Sequence, residues 1–157
     1  MAGRVEWVLL AYRVPREPST PRITVWRKLK RLGVAQVVDG LVALPLDART
    51  KEALEWIGDE IVEAGGEATL WTARLGSVRQ ERDLATRMAA VVATEYQAVI
   101  DAAREAGAGE ASGRRRTVAR LRRELRRIGQ RDHFPPPERE QARAAVDALA
   151  VAVEALT

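Results

Sequence analysis

Arginine is the residue type best placed to do chemistry in this chain. Of 26 basic residues only Lys28, Lys30 and Lys51 are lysines. The arginines gather in two segments. From Pro18 to Val38 there is no acid, and Arg22, Arg27, Lys28, Lys30 and Arg31 carry all the charge. From Arg114 to Arg131 the single acid, Glu124, stands among arginines throughout. Guanidinium groups in series neutralise phosphate oxygens, and a fork that reaches a base edge can read guanine. The candidate nucleic-acid contacts are therefore Arg27, Lys28, Lys30 and Arg31 in the first segment. In the second they are Arg120, Arg123, Arg127 and Arg131. A small oxyanion would need fewer groups, and Arg22 with Arg27 near a helix start is the alternative site. The competing explanation of both segments is a solvated basic face with no ligand.

Other chemistries find little support. The absence of cysteine excludes disulfides, thiolate metal sites and cysteine nucleophiles. One histidine, His133, excludes a multi-histidine zinc site. In its setting, RDHFPPP, it is expected to join a hydrogen-bond network at a helix end. The acids Glu6, Asp39, Asp47, Asp59, Glu60 and Glu63 are scattered, and no pair demands a shared acid–base site. No glycine-rich phosphate loop and no G-x-S-x-G turn occurs. The expectation is a protein without enzymatic activity, metal or cofactor.

The basic segments must be held by elements, and the hydrophobic pattern supplies them. VEWVLLAYRV at 5–14 has the length and composition of a buried strand. Ser19 or Thr20 can cap a helix that has Pro21 at its first position and Gly33 as its stop. On that helix Val25, Trp26, Leu29 and Leu32 form the apolar face, and Arg27, Lys28, Lys30 and Arg31 the other. Residues 34–46 read as a hairpin about Asp39-Gly40. A second helix buries Leu54, Ile57 and Ile61, flanked by Trp56 and Val62, and ends at Gly65-Gly66. A last strand covers 67–75. The order strand, helix, strand, strand, helix, strand is that of a ferredoxin-like βαββαβ unit.

After residue 76 the strand signal disappears and three helices are expected. The first spans about 77–106, with Leu84, Met88, Val91, Val92, Tyr96 and Val99 inward. The second spans about 116–130, with Val118, Leu121, Leu125 and Ile128 as its stripe. The third follows Pro135-Pro136-Pro137, with Ala142, Val146, Leu149, Val153 and Leu156 inward. The fold class is α+β: a ferredoxin-like subdomain at 1–76 and a three-helix subdomain at 77–157, packed on it as one folding unit. The 157 residues, 46% hydrophobic, suffice for a core without staples. No apolar run reaches the length of a membrane span, and the first residues do not read as a signal peptide. The expected compartment is the cytoplasm. Trp7, Trp26, Trp56 and Trp71 are expected in the core. Only Trp7 and Trp71 could instead serve as a base-stacking platform on the open sheet face, and the appended helices are expected to cover it.

The segment VEWVLLAYRVPREPSTPRITVWRKLKRLGVAQVVDGLVALP resembles the start of the N-terminal domain of the chromate-resistance regulator family, ChrB. The motif R-x-x-V-W-R-x-L-K-x-L-G stands here as Arg22, Val25, Trp26, Arg27, Leu29, Lys30, Leu32 and Gly33, with Leu44-Pro45 closing the hairpin. The resemblance continues in EAGGEATLW, in EYQAVI at 95–100 and in IGQRDHF at 128–134. It implies a transcriptional regulator or regulatory module of chromate resistance that binds DNA, with a homodimer expected from regulator symmetry. Members of the regulator type carry a further C-terminal domain to which chromate sensing is assigned, and this sequence does not contain it. The same helix and hairpin are similar to the middle domain of the phenylacetate-catabolism repressor family, PaaX. That domain shares its fold with small CRISPR-associated metal nucleases, which use an aspartate at the end of the first strand. Here Tyr12 and Arg13 stand at that place, so nuclease activity is not implied.

Overall fold

The computed structural model describes residues 4–155; Leu156, expected on the inner stripe of the last helix, lies outside them. Four strands and two helices come first: β1 (Trp7–Arg13), α1 (Thr20–Leu32), β2 (Ala35–Val38), β3 (Leu41–Pro45), α2 (Ala48–Glu63) and β4 (Glu67–Ala73). Three helices follow: α3 (Val78–Ala108), α4 (Arg114–Gln130) and α5 (Glu138–Glu154), with a short 3-10 turn at Ala111–Gly113. The sheet order is β2-β3-β1-β4 with every neighbour antiparallel. The fold class is thus α+β, a βαββαβ start followed by helices. The chain divides into two compact units between Met88 and Ala89, inside α3.

In the first unit, one sheet face and the two helices share a core. Val8, Leu10, Val42 and Leu44 of the sheet pack with Val25 and Leu29 of α1 and with Leu54, Ile57 and Ile61 of α2. Each such side chain contributes about 1.5–3 kcal/mol of hydrophobic stabilisation on burial. Turn chemistry sets the connections. Gly33 ends α1 at φ +75°, its N–H donating back to Lys30. Gly40 turns the β2–β3 hairpin at φ +77°, and a Cβ there would lie 2.6 Å from the Tyr12 carbonyl oxygen. Only glycine fits both demands. The Asp47 carboxylate accepts from the Thr50 N–H at 2.8 Å, and the Thr50 hydroxyl accepts from the Asp47 N–H at 3.0 Å. This reciprocal box starts α2.

The opposite sheet face carries Trp7, Leu9 and Ala11 of β1, paired with Ala43 of β3 and with Thr69 and Trp71 of β4. The first turns of α3 are tied to the residue stretch before β1 and to β2. Glu81 accepts from the Val5 N–H at 2.8 Å, and Arg87 donates to the Gln36 carbonyl at 3.2 Å. Trp7 and Ala43 are buried there, while Trp71 stays 59% exposed.

In the second unit α3, α4 and α5 share their own core. Tyr96, Val99, Ile100 and Ala103 meet Val118, Leu121 and Ile128 of α4 and Ala142, Val146 and Leu149 of α5.

Expectations about burial are corrected at five residues. Of the four tryptophans only Trp7 is core; Trp26, Trp56 and Trp71 are exposed. Val62 and Val91 are exposed as well. For Trp56, Val62 and Val91 the reason is angular: the buried stripes of α2 and α3 are already filled by other residues, and these side chains lie beside or behind them. Ser19 stands before α1 as expected, but its backbone is helical (φ −75°, ψ −20°) and its hydroxyl makes no cap bond.

Candidate nucleic-acid interface

Helix α4 presents its chemistry because of its stripe. Val118, Leu121 and Ile128 are buried and Leu125 is partly so, which fixes the helix rotation. Every other direction carries arginine. Arg115, Arg116, Arg120, Arg122, Arg123, Arg126 and Arg127 are all exposed. Among the described residues only Arg127 of these has a carboxylate partner, Glu124 at 3.5 Å. The helix rises about 1.5 Å per residue, so the face extends roughly 25 Å, enough to follow several phosphates.

Of the four residues named on this helix by sequence, Arg120, Arg123 and Arg127 lie on that open face. Arg131 does not. Its side chain is 21% exposed and donates to Glu95 at 2.9 Å, with Glu124 at 3.8 Å. It ties the end of α4 to α3. The same face includes Arg115, Arg116, Arg122 and Arg126, which the sequence reading counted but did not single out. Helical position relative to the Val118 stripe was the available signal. Arg114, by contrast, turns back and donates to the Ala106, Gly107 and Gly109 carbonyls, capping the end of α3.

On α1, Arg27, Lys30 and Arg31 are exposed and pair with no described residue. Lys28 is half-buried and bonded to Glu60 of α2. Along α2, outside the Lys28 pair, Glu52, Asp59 and Glu63 are exposed. Phosphate approaching α1 would meet these acids on the adjoining helix.

At one end of the sheet lies a cleft of about 1120 Å³ lined by residues including Tyr12, Arg13, Arg16, Ser19, Arg22, Trp26 and Asp39. Arg22 of the alternative anion site lines it, but Arg27 does not; five residues along a helix place them about 140° apart. Arg13 and Arg16 were missed by sequence because one ends β1 and the other lies in the loop before α1, outside the two basic segments. Arg13 pairs with Glu67 at 3.0 Å. Burial, and after it Asp39, raise the Tyr12 phenol above its ordinary value, while Arg22 opposes the shift.

Next to His133, Asp132 ties the end of α4 to α3 and α5. The Tyr96 hydroxyl donates to Asp132 at 2.8 Å, with Arg139 4.0 Å from the same carboxylate. Burial, and then the bond to Asp132, push the Tyr96 phenol up to about 12. Among the described residues, no three carboxylate or imidazole groups are close enough to hold a metal ion, and no helix is long and apolar enough to cross a membrane.

The family model described as "Protein ChrB, N-terminal" matches residues 22–107. No curated protein and no solved structure matches the chain. The matched span begins at Arg22 and contains the α1 motif, the hairpin, α2, β4 and most of α3; the arginine face of α4 lies beyond it. With more than half of its residues inside that span, the chain belongs to the ChrB family, through its N-terminal domain.

Proposed function

We propose that this chain is a DNA-binding regulatory module of chromate resistance, without catalysis of its own, that acts in the cytoplasm as a homodimer. The observation that carries the reading is the open arginine face of α4, where six of seven exposed guanidinium groups have no carboxylate partner among the described residues. Unpaired arginines along one helix suit phosphate contact, which positions a protein on duplex DNA and makes its affinity salt-dependent. Helix α1 is the poorer phosphate surface, because Lys28 is engaged by Glu60 and the α2 acids adjoin it.

The test is the slope of log affinity against log salt. Replacing Arg116, Arg120 and Arg123 by Ala should weaken binding about equally for all duplexes and reduce that slope by roughly one unit per lost phosphate contact. A slope unchanged in the triple variant, with circular dichroism intact, would remove α4 from the interface.

A second reading places an oxyanion in the sheet-end cleft, held by Arg22. Its support is that Arg22 and Arg16 line the cleft and pair with no described residue. Chromate or sulfate titration of the wild type against Arg22→Ala, followed by calorimetry, separates it from the first. A nuclease-type reading lacks its strand-end carboxylate, since β1 ends in Tyr12-Arg13.

A further inference from the structure

We infer that the outer face of the α1–α2 layer is a self-complementary surface that pairs with the same surface of a second copy. This rests on the homodimer reading above and deepens it by naming the interface.

The two helices of this layer differ in sign. On α1, Ile23, Arg27 and Lys30 recur at i, i+4 and i+7, with Arg31 beside them, and all four are exposed. They stand opposite Val25 and Leu29, which are buried on the sheet. On α2, Glu52, Trp56, Asp59 and Glu63 recur at i, i+4, i+7 and i+11, opposite the buried Leu54, Ile57 and Ile61. Trp56 is 68% exposed in the middle of this acidic stripe. Arg27, Lys30 and Arg31 pair with no described residue, and neither do Glu52, Asp59 and Glu63. Thus a row of three cations adjoins a row of three acids that has an exposed indole within it, and none of the six is paired with a described residue.

Topology fixes how two such faces meet. Helix α1 runs back along β1 and α2 back along β3, and β1 and β3 are antiparallel, so the helices are antiparallel. A two-fold axis parallel to the helices lays each α1 over the α2 of the other copy. The crosswise axis would lay α1 on α1, cations on cations, and is disfavoured. Rotation about the parallel axis adds no shift along the helices. The Lys28–Glu60 pair therefore sets the level. Arg27 arrives between Asp59 and Glu63, and Lys30 and Arg31 arrive level with Trp56 and Asp59. A cation over the indole face gains a cation–π contact that the separated chain lacks. Two helices side by side cover about 20 Å by 20 Å, a patch at the small end of specific interfaces, so the affinity belongs in the micromolar range.

The experiment is sedimentation equilibrium of the full chain over about 1–200 µM, with folding checked by circular dichroism. The wild type should dimerise, and raising salt from about 0.1 to 0.5 M should weaken it about tenfold or more. Arg27→Glu with Lys30→Glu and Arg31→Glu should be monomeric, as should Glu52→Lys with Asp59→Lys and Glu63→Lys. An equimolar mixture of the two variants should regain the dimer, because each supplies the charge the other has lost on both helices. If either triple variant fails to fold, Trp56→Ala and the wild-type salt dependence decide, the first expected to weaken the dimer about tenfold. A dimer indifferent to these changes would overturn this interface while sparing the homodimer reading. A wild type that stays monomeric throughout would overturn both, and neither outcome bears on the α4 arginines.

Discussion

Asp132 has a fully buried side chain whose one hydrogen-bonding oxygen depends on the Tyr96 hydroxyl, with Oδ1 unpartnered. Tyr96→Phe removes that donor and leaves a buried carboxylate with less compensation, at a cost of about 1–3 kcal/mol. The phenol's value in the folded chain, about 12, lies above that of an exposed tyrosine. The neutral phenol is thus the form the fold favours. Its contribution is complete below about pH 10 and is lost as pH rises toward the folded value. Urea midpoints of wild type and Tyr96→Phe should therefore differ most near neutrality and converge at strongly alkaline pH. A gap that widens above pH 10 would contradict the assignment. IGQRDHF was legible as a motif at a helix end, but the Tyr96–Asp132 bond was not, because the two meet only when α3 packs against the end of α4.

At the scale of elements, local chemistry decided boundaries well. The Asp39-Gly40 turn, the Gly33 stop and the Gly65-Gly66 end of α2 all occur where short-range backbone demands put them. The α2 start adds a device that sequence reading passed over, the box between Asp47 and Thr50. The Thr50 N–H, and after it the other donors around the carboxylate, hold the Asp47 carboxyl below its usual value. That stabilisation is present above the unfolded value near 4 and fades as pH falls through the lower folded one. Asp47→Ala should cost about 1 kcal/mol at neutral pH, as loss of a helix cap does. The cost should shrink in acid, and thermal melts at pH 7 and pH 2.5 would check both statements. A cost equal at the two pH values would assign the loss to something other than the carboxylate.

For the whole molecule, the two core clusters share no buried residue, one built on the sheet and its two helices, the other on α3, α4 and α5. Local stability follows local packing. Leu54→Ala, which opens a cavity in the first core, should cost about 2–5 kcal/mol. It should lower amide protection in the strands and in α1 and α2 far more than in α4 and α5. Hydrogen exchange read by mass spectrometry would measure this, and equal loss in both regions would mean a single cooperative unit.

The element order, the turns and the basic character of α1 and α4 are all written in the chain's residues. These follow from periodicity, backbone-specific residues and composition, which act over a few neighbouring positions. The sequence also carried the family, because the α1 motif and the residues after it form one continuous stretch. Which charges stay open depends on packing between helices. Lys28 and Arg131 look like their neighbours in the chain, yet each meets a glutamate from another helix, Glu60 and Glu95. Trp56 looks like core and faces outward, because Leu54, Ile57 and Ile61 already fill the angle toward the sheet. The cleft takes Arg13 from a strand end, Arg16 from a loop and Arg22 from a helix start, which only the folded sheet and helix bring to one edge. Partnership between distant side chains depends on packing geometry, and packing geometry is a property of the assembled fold.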